Sequence, residues 1–97
     1  MKTLDEIKKT LEKHKAEVVR DYNVKEIGIF GSFVRGEQKK RSDIDIIVEY
    51  FELPDLLKFI ELERRLQRIL RKKVDLIEKN GIRPELKDGI LKEVVYI

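Results

Sequence analysis

The 97 residues, 41% of them hydrophobic, suffice for one domain with one core and exclude a second domain or a deep, fully enclosed pocket. Cysteine is absent, which excludes disulfides, thiolate zinc sites and cysteine nucleophiles. Lys and Arg number 22 against 19 Asp and Glu, so the net charge of +3 is a mixture of signs and does not by itself point to nucleic acid. Charged residues make up 42% of the chain, a density that suits a heat-adapted protein. The opening MKTLDEIKKTLEKHK lacks the apolar core of a signal peptide, and no apolar run approaches the ~20 residues of a membrane span. A cytoplasmic protein is expected.

Thr3 followed by Glu6 makes a capping box. Leu4, Ile7, Leu11 and Val18 then recur near one helical face, which predicts a first helix over about 3–21. His14, the only histidine, sits on that helix and reads as structural or surface. Ile27, Ile29 and Phe30 predict a short strand stopped by Gly31, and Ser32–Gly36 a single helical turn. Glu37–Ser42 is a polar, basic loop. Ile44, Ile46, Ile47 and Val48 predict a second strand rich in β-branched residues.

Pro54 and Asp55 start a long helix whose buried face is expected from Leu56, Phe59, Ile60, Leu66, Ile69 and Leu70, with Glu61 and Arg65 paired at i,i+4. Val74, Leu76 and Ile77 predict a third strand, stopped by Asn80-Gly81. Pro84 suits the first position of a last helix, with Leu86, Ile90 and Leu91 facing inward and Gly89 weakening it by up to ~1 kcal/mol relative to Ala. The tail Val94–Ile97 reads as extended. Tyr22, Tyr50 and Tyr96 are expected to pack their rings and keep the hydroxyl in water. The order α-β-turn-β-α-β-α predicts an α/β (α+β) fold with a small mixed three-stranded sheet packed with helices, in a single domain spanning 1–97.

Connection lengths set strand direction. A whole helix joins strands two and three, so these are expected to be parallel; strands one and two lack one and are expected to be antiparallel. Gly31 and Ser32 at the end of strand one then share a sheet edge with Asp43 and Asp45 at the start of strand two and Asp75 near the start of strand three. Asp43 and Asp45, two apart in an extended segment, point to the same side with Cα atoms roughly 6–7 Å apart. Two such charges repel by about 3 kcal/mol at an effective dielectric of 20, and a bridging divalent cation removes that penalty.

Each feature has a plainer reading. A lone Asp-x-Asp is common, with Asp43 a turn residue and Asp45 solvated; Gly31-Ser32 is ordinary turn chemistry with Ser32 as a helix cap. The functional reading adds anion binding at that turn. Gly31-x4-Gly36 begins like a P-loop, but Glu37 and Gln38 follow where Lys and Ser or Thr are required, so that reading is rejected. Arg35, Lys39, Lys40 and Arg41 form a basic stretch that attracts a triphosphate, or a solvated loop in which Arg35 pairs with one of the aspartates.

Gly31-Ser32-Phe33-Val34-Arg35-Gly36, then Ser42-Asp43-Ile44-Asp45 and the later Asp75, resembles the minimal nucleotidyltransferases of the polymerase-β superfamily. The match is close over residues 27–48, and the remaining elements agree in type and order. The resemblance implies transfer of a nucleoside monophosphate from an NTP with release of pyrophosphate. It implies that Asp43 and Asp45 hold two Mg²⁺ ions, that Asp75 shares the ion nearer the acceptor and helps deprotonate its hydroxyl, and that Gly31 and Ser32 contact the β- and γ-phosphates. Arg35 and Ser42 match the motif and are assigned supporting roles in nucleotide binding.

Larger members carry an extra helical domain, and this chain resembles the stand-alone proteins paired with a small helical HEPN protein in toxin–antitoxin systems. There the nucleotidyltransferase is the antitoxin and transfers AMP from ATP to a tyrosine of the HEPN toxin. A small-molecule acceptor such as an antibiotic, and a non-catalytic antitoxin acting by contact alone, are the competing readings. A homodimer or hetero-oligomer stays open; membrane and direct nucleic-acid partners are not expected.

Overall fold

The computed structural model describes residues 2–97. The first helix, α1 (Leu4–Tyr22), is capped by Thr3, whose hydroxyl accepts the Glu6 N–H at 3.3 Å, and ends at Asn23 in the left-handed region. It buries Ile7, Leu11, Val18 and Tyr22. Strand β1 (Val24–Phe30) leads to Gly31 and the four-residue α2 (Ser32–Arg35). Strand β2 (Ile44–Tyr50) is followed by α3 (Leu56–Leu70), capped by Asp55, whose carboxylate accepts the Lys58 N–H at 2.8 Å. Strand β3 (Val74–Glu78), a 3₁₀ turn (Lys79–Gly81), α4 (Pro84–Glu93) and β4 (Val95–Tyr96) complete the order.

The sheet has strand order β3-β2-β1-β4. β1 runs antiparallel to β2 and β2 parallel to β3, as the connections predict. The sheet has four strands rather than three: Val95 and Tyr96 of the extended tail pair antiparallel with Ile29 and Gly28. A two-residue strand has no alternation of its own, so only its partner defines it. Gly28 admits it, because a Cβ there would collide with Val94 Cγ1 and crowd the Tyr96 ring.

The two faces of the sheet are unequal. Ile27, Ile29, Ile44, Ile46, Val48, Val74 and Leu76 point to one side and join α1 and α3 in the core. By the same alternation Gly28, Phe30, Asp45, Ile47, Asp75 and Ile77 point to the other, which α4 crosses without burying any residue of its own. Leu86, expected to face inward, is therefore 52% exposed.

Three other expectations give way to tertiary contacts. The buried stripe of α3 runs through Leu62, Leu66 and Leu70, whereas Leu56 at its first turn is 71% exposed. Arg65 does not pair with Glu61; it crosses to α1, meeting Asp21 at 2.7 Å and Glu17 at 3.1 Å, while Glu61 lies 3.5 Å from Lys58. The Tyr50 hydroxyl is buried without a hydrogen-bond partner, and burial with the nearby Glu78 carboxylate pushes it up to about 12. No described helix is long and apolar enough to cross a membrane.

Candidate active site

The edge formed by the end of β1 and the starts of β2 and β3 gathers the polar residues. Asp45 is the register partner of Phe30 on β1 and of Asp75 on β3. Parallel neighbours in register present their side chains to the same face, so Asp45 and Asp75 stand side by side. Asp43 lies two residues before Asp45, just outside β2. Asp75 is exposed, and Asp43 and Asp45 are half-buried.

Gly31 makes the close approach possible. Its φ of 81° belongs to the region glycine tolerates, and a Cβ there would run into Asp45 Oδ2. The Asp45 carboxylate thus lies against the Gly31 backbone. Helix α2 starts directly afterwards, so the Ser32 and Phe33 amides have no partner within it. Phe33 anchors the turn in the core.

Among the described residues, no three His, Asp or Glu side chains close into a ready-made metal cage. The carboxylates instead share an open edge with unbalanced charge. Burial pushes Asp45 up to about 6, helped by Asp75 and Asp43, and Arg35 opposes this. Mg²⁺ takes few protein carboxylates and completes its shell with water and substrate phosphate. An open row of acidic oxygens beside a glycine turn fits a divalent cation brought in with a nucleotide.

The two supporting residues have partners within the chain. Arg35 pairs with no aspartate; its guanidinium is held by Glu37 at 2.6 Å and Glu93 at 2.8 Å. The Ser42 hydroxyl accepts the Lys39 N–H at 2.8 Å and closes the basic loop. Glu93, unmarked in the sequence, also accepts the Gly31 N–H at 2.6 Å. Its significance depends on β4, whose pairing no local pattern announces.

On the face under α4, Phe30, Ile77, Ile82, Leu86 and Ile90 line a cleft of about 310 Å³, with Arg83 at its wall. Asp75 also lines it, so the cleft opens onto the acidic edge.

Acidic residues leading two parallel strands, beside a Gly-Ser turn on a neighbouring antiparallel strand, define the class to which comparison with known proteins leads. The family profile of the nucleotidyltransferase domain matches residues 11–97, and the chain belongs to that family. It is 48% identical over 97 residues to the protein adenylyltransferase MntA of Thermococcus cleftensis, covering 100% of this chain and 98% of that one. A Methanocaldococcus jannaschii protein provisionally named a protein adenylyltransferase is 63% identical over 82 residues, covering 84% of this chain and 95% of its own. Among solved structures, one described provisionally as a minimal nucleotidyltransferase superposes with a TM-score of 0.83 at 28% identity, covering 97% of this chain and 95% of that one. A toxin–antitoxin structure with AMP-PNP gives 0.73 at 28% identity, covering 88% of this chain and 70% of that one.

Proposed function

We propose that this nucleotidyltransferase transfers AMP from ATP to a tyrosine hydroxyl of a HEPN toxin and so acts as its antitoxin. The observation that carries the chemistry is the side-by-side placement of Asp45 and Asp75 against the Gly31 turn. The protein acceptor is supported by the similarity to the Thermococcus adenylyltransferase and to a toxin–antitoxin pair that holds an ATP analogue.

In this reading Asp43, Asp45 and Asp75 would hold two Mg²⁺ ions, which would offset the carboxylate repulsion and stabilise the attacking and leaving oxygens. Gly31 and Ser32 seat the β- and γ-phosphates at the start of α2. Asp75 takes the proton of the acceptor hydroxyl. The acceptor oxygen bonds to the α-phosphorus as the bond from that phosphorus to the oxygen bridging the α- and β-phosphates breaks, and pyrophosphate leaves. The cleft under α4 suits the acceptor: its walls are mostly apolar and Asp75 stands at the acidic end, as a phenol ring with its hydroxyl toward that end would require. Its volume is at the lower end of the range for small-molecule sites.

The test is transfer of label from α-labelled ATP with Mg²⁺, with and without the protein of the neighbouring gene, wild type against Asp43→Asn. Label on a tyrosine of that protein, lost in the variant and with EDTA, is the expected result. Label on a low-molecular-weight species alone would replace the protein acceptor with a small molecule. Mg-ATP binding without transfer, together with protection by Asp43→Asn as good as wild type, would leave an antitoxin that works by contact.

A further inference from the structure

The β1/β4 pairing assigns a partner to Gly31. Gly28 faces Tyr96 and Ile29 faces Val95, and the Ile97 N–H donates to the Ile27 carbonyl at 3.0 Å. Carrying that register two residues beyond Ile29 and Val95 puts Glu93 opposite Gly31. Backbone groups of successive residues point to opposite sides of a strand, so those of Ile27, Ile29 and Gly31 point the same way. The Gly31 N–H therefore points toward β4, as the backbone of Ile27 does, and away from β2 and its aspartates. At that position the chain is still helical, since Glu93 is the last residue of α4. Its side chain supplies the acceptor that a strand backbone would have supplied.

The same carboxylate reaches the other end of α2. Glu93 Oε1 accepts from Gly31 N at 2.6 Å and from Arg35 Nη1 at 2.8 Å, and Oε2 lies 3.2 Å from Arg35 Nη1. Gly31 precedes the first residue of this four-residue helix and Arg35 is its last, so one side chain ties both ends. Such a short turn has little cooperativity of its own. Both bonds involve charged groups, which makes them shorter and stronger than neutral ones.

We propose that Glu93 is a positioning residue of the nucleotide site. It fixes the Gly31–Arg35 turn so that the Ser32 amide and hydroxyl, which grip the phosphates, face the aspartate edge. It does not touch the nucleotide itself. This inference rests on the reading of Gly31-Ser32 as the phosphate grip.

The experiment is calorimetric titration of the chain with Mg-ATP, below the unfolding temperature of each variant. Glu93→Ala is expected to weaken binding about tenfold, as loss of an outer-shell partner does. Glu93→Gln, which keeps an oxygen for Gly31 but loses the charge, is expected to recover part of that loss. Because Arg35 acts through the same carboxylate, Arg35→Ala is expected to add little on top of Glu93→Ala. A Kd for Glu93→Ala within about twofold of wild type overturns the proposal, since a change of that size is a small fraction of a tenfold step. If Glu93→Ala does not fold, Glu93→Gln decides: a Kd raised about threefold or more supports it and an unchanged one overturns it. Ser32→Ala separates the two readings: wild-type binding insensitive to it overturns the phosphate grip, whatever Glu93 does.

Discussion

With its carboxylate against Gly31 and Asp75 beside it, Asp45 carries a charge that the metal-free fold disfavours. Burial, with Asp75 and Asp43 nearby, pushes the group up to about 6 in the native state from its ordinary 3.8, so the native state holds the extra proton between those values. Its contribution to stability therefore falls as pH rises from about 4 to 6 and stays lower above. Thermal unfolding in EDTA is expected to show Asp45→Asn more stable than wild type at pH 7, with the difference shrinking toward pH 4. Mg²⁺ is expected to raise the unfolding temperature of wild type more than that of the variant, while transfer falls by about three orders of magnitude or more. The three aspartates were legible because strand alternation and connection length place them without any tertiary detail. The partners of Arg35 were not: the sequence suggested pairing with one of the aspartates, and they are Glu37 and, across 58 positions, Glu93.

Arg65 joins two elements rather than two turns of one. It reaches Glu17 and Asp21 on α1 and lies 5.6 Å from the centre of the Tyr22 ring. Those contacts displace the local pairing with Glu61, because two carboxylates and an aromatic face outweigh one exposed i,i+4 partner. Arg65→Ala is expected to cost about 1–2 kcal/mol, part of it lost packing of the aliphatic stem. Urea unfolding at low and high salt checks this: the gap between variant and wild type should narrow with salt. In α4, a Cβ on Gly89 would meet nothing within 4 Å. Gly89→Ala is expected to stabilise by up to ~1 kcal/mol and to raise the unfolding temperature by roughly 4–8 °C. Helical periodicity revealed that α3 has an apolar stripe but not where the stripe leaves the core. Leu56 and Leu57, in the first turn of α3, are 71% and 75% exposed, and Leu62, passed over in the sequence, is fully buried.

Across the whole molecule, strand directions followed from chain connectivity alone, and the core face followed from β-branched alternation. In the architecture, what escaped the sequence is the edge strand β4, too short to show a period, and the exposure of α4, which is amphipathic without being buried. This lopsidedness sets an order of local opening. Helices α1 and α3 and strand β2 are pinned by fully buried residues, whereas α4 has none. Segments with few buried apolar contacts exchange their amide hydrogens through small fluctuations, at free energies well below global unfolding. Amides of α4 are expected to exchange first among the helices longer than one turn and those of β2 last, as hydrogen–deuterium exchange read by mass spectrometry would show. Equal protection in α4 and α3 would contradict that order. A fluctuation that lifts the last turn of α4 carries Glu93 away from Gly31, so the lifetime of the turn beside the aspartates is tied to the residence of the most weakly anchored long helix on its sheet.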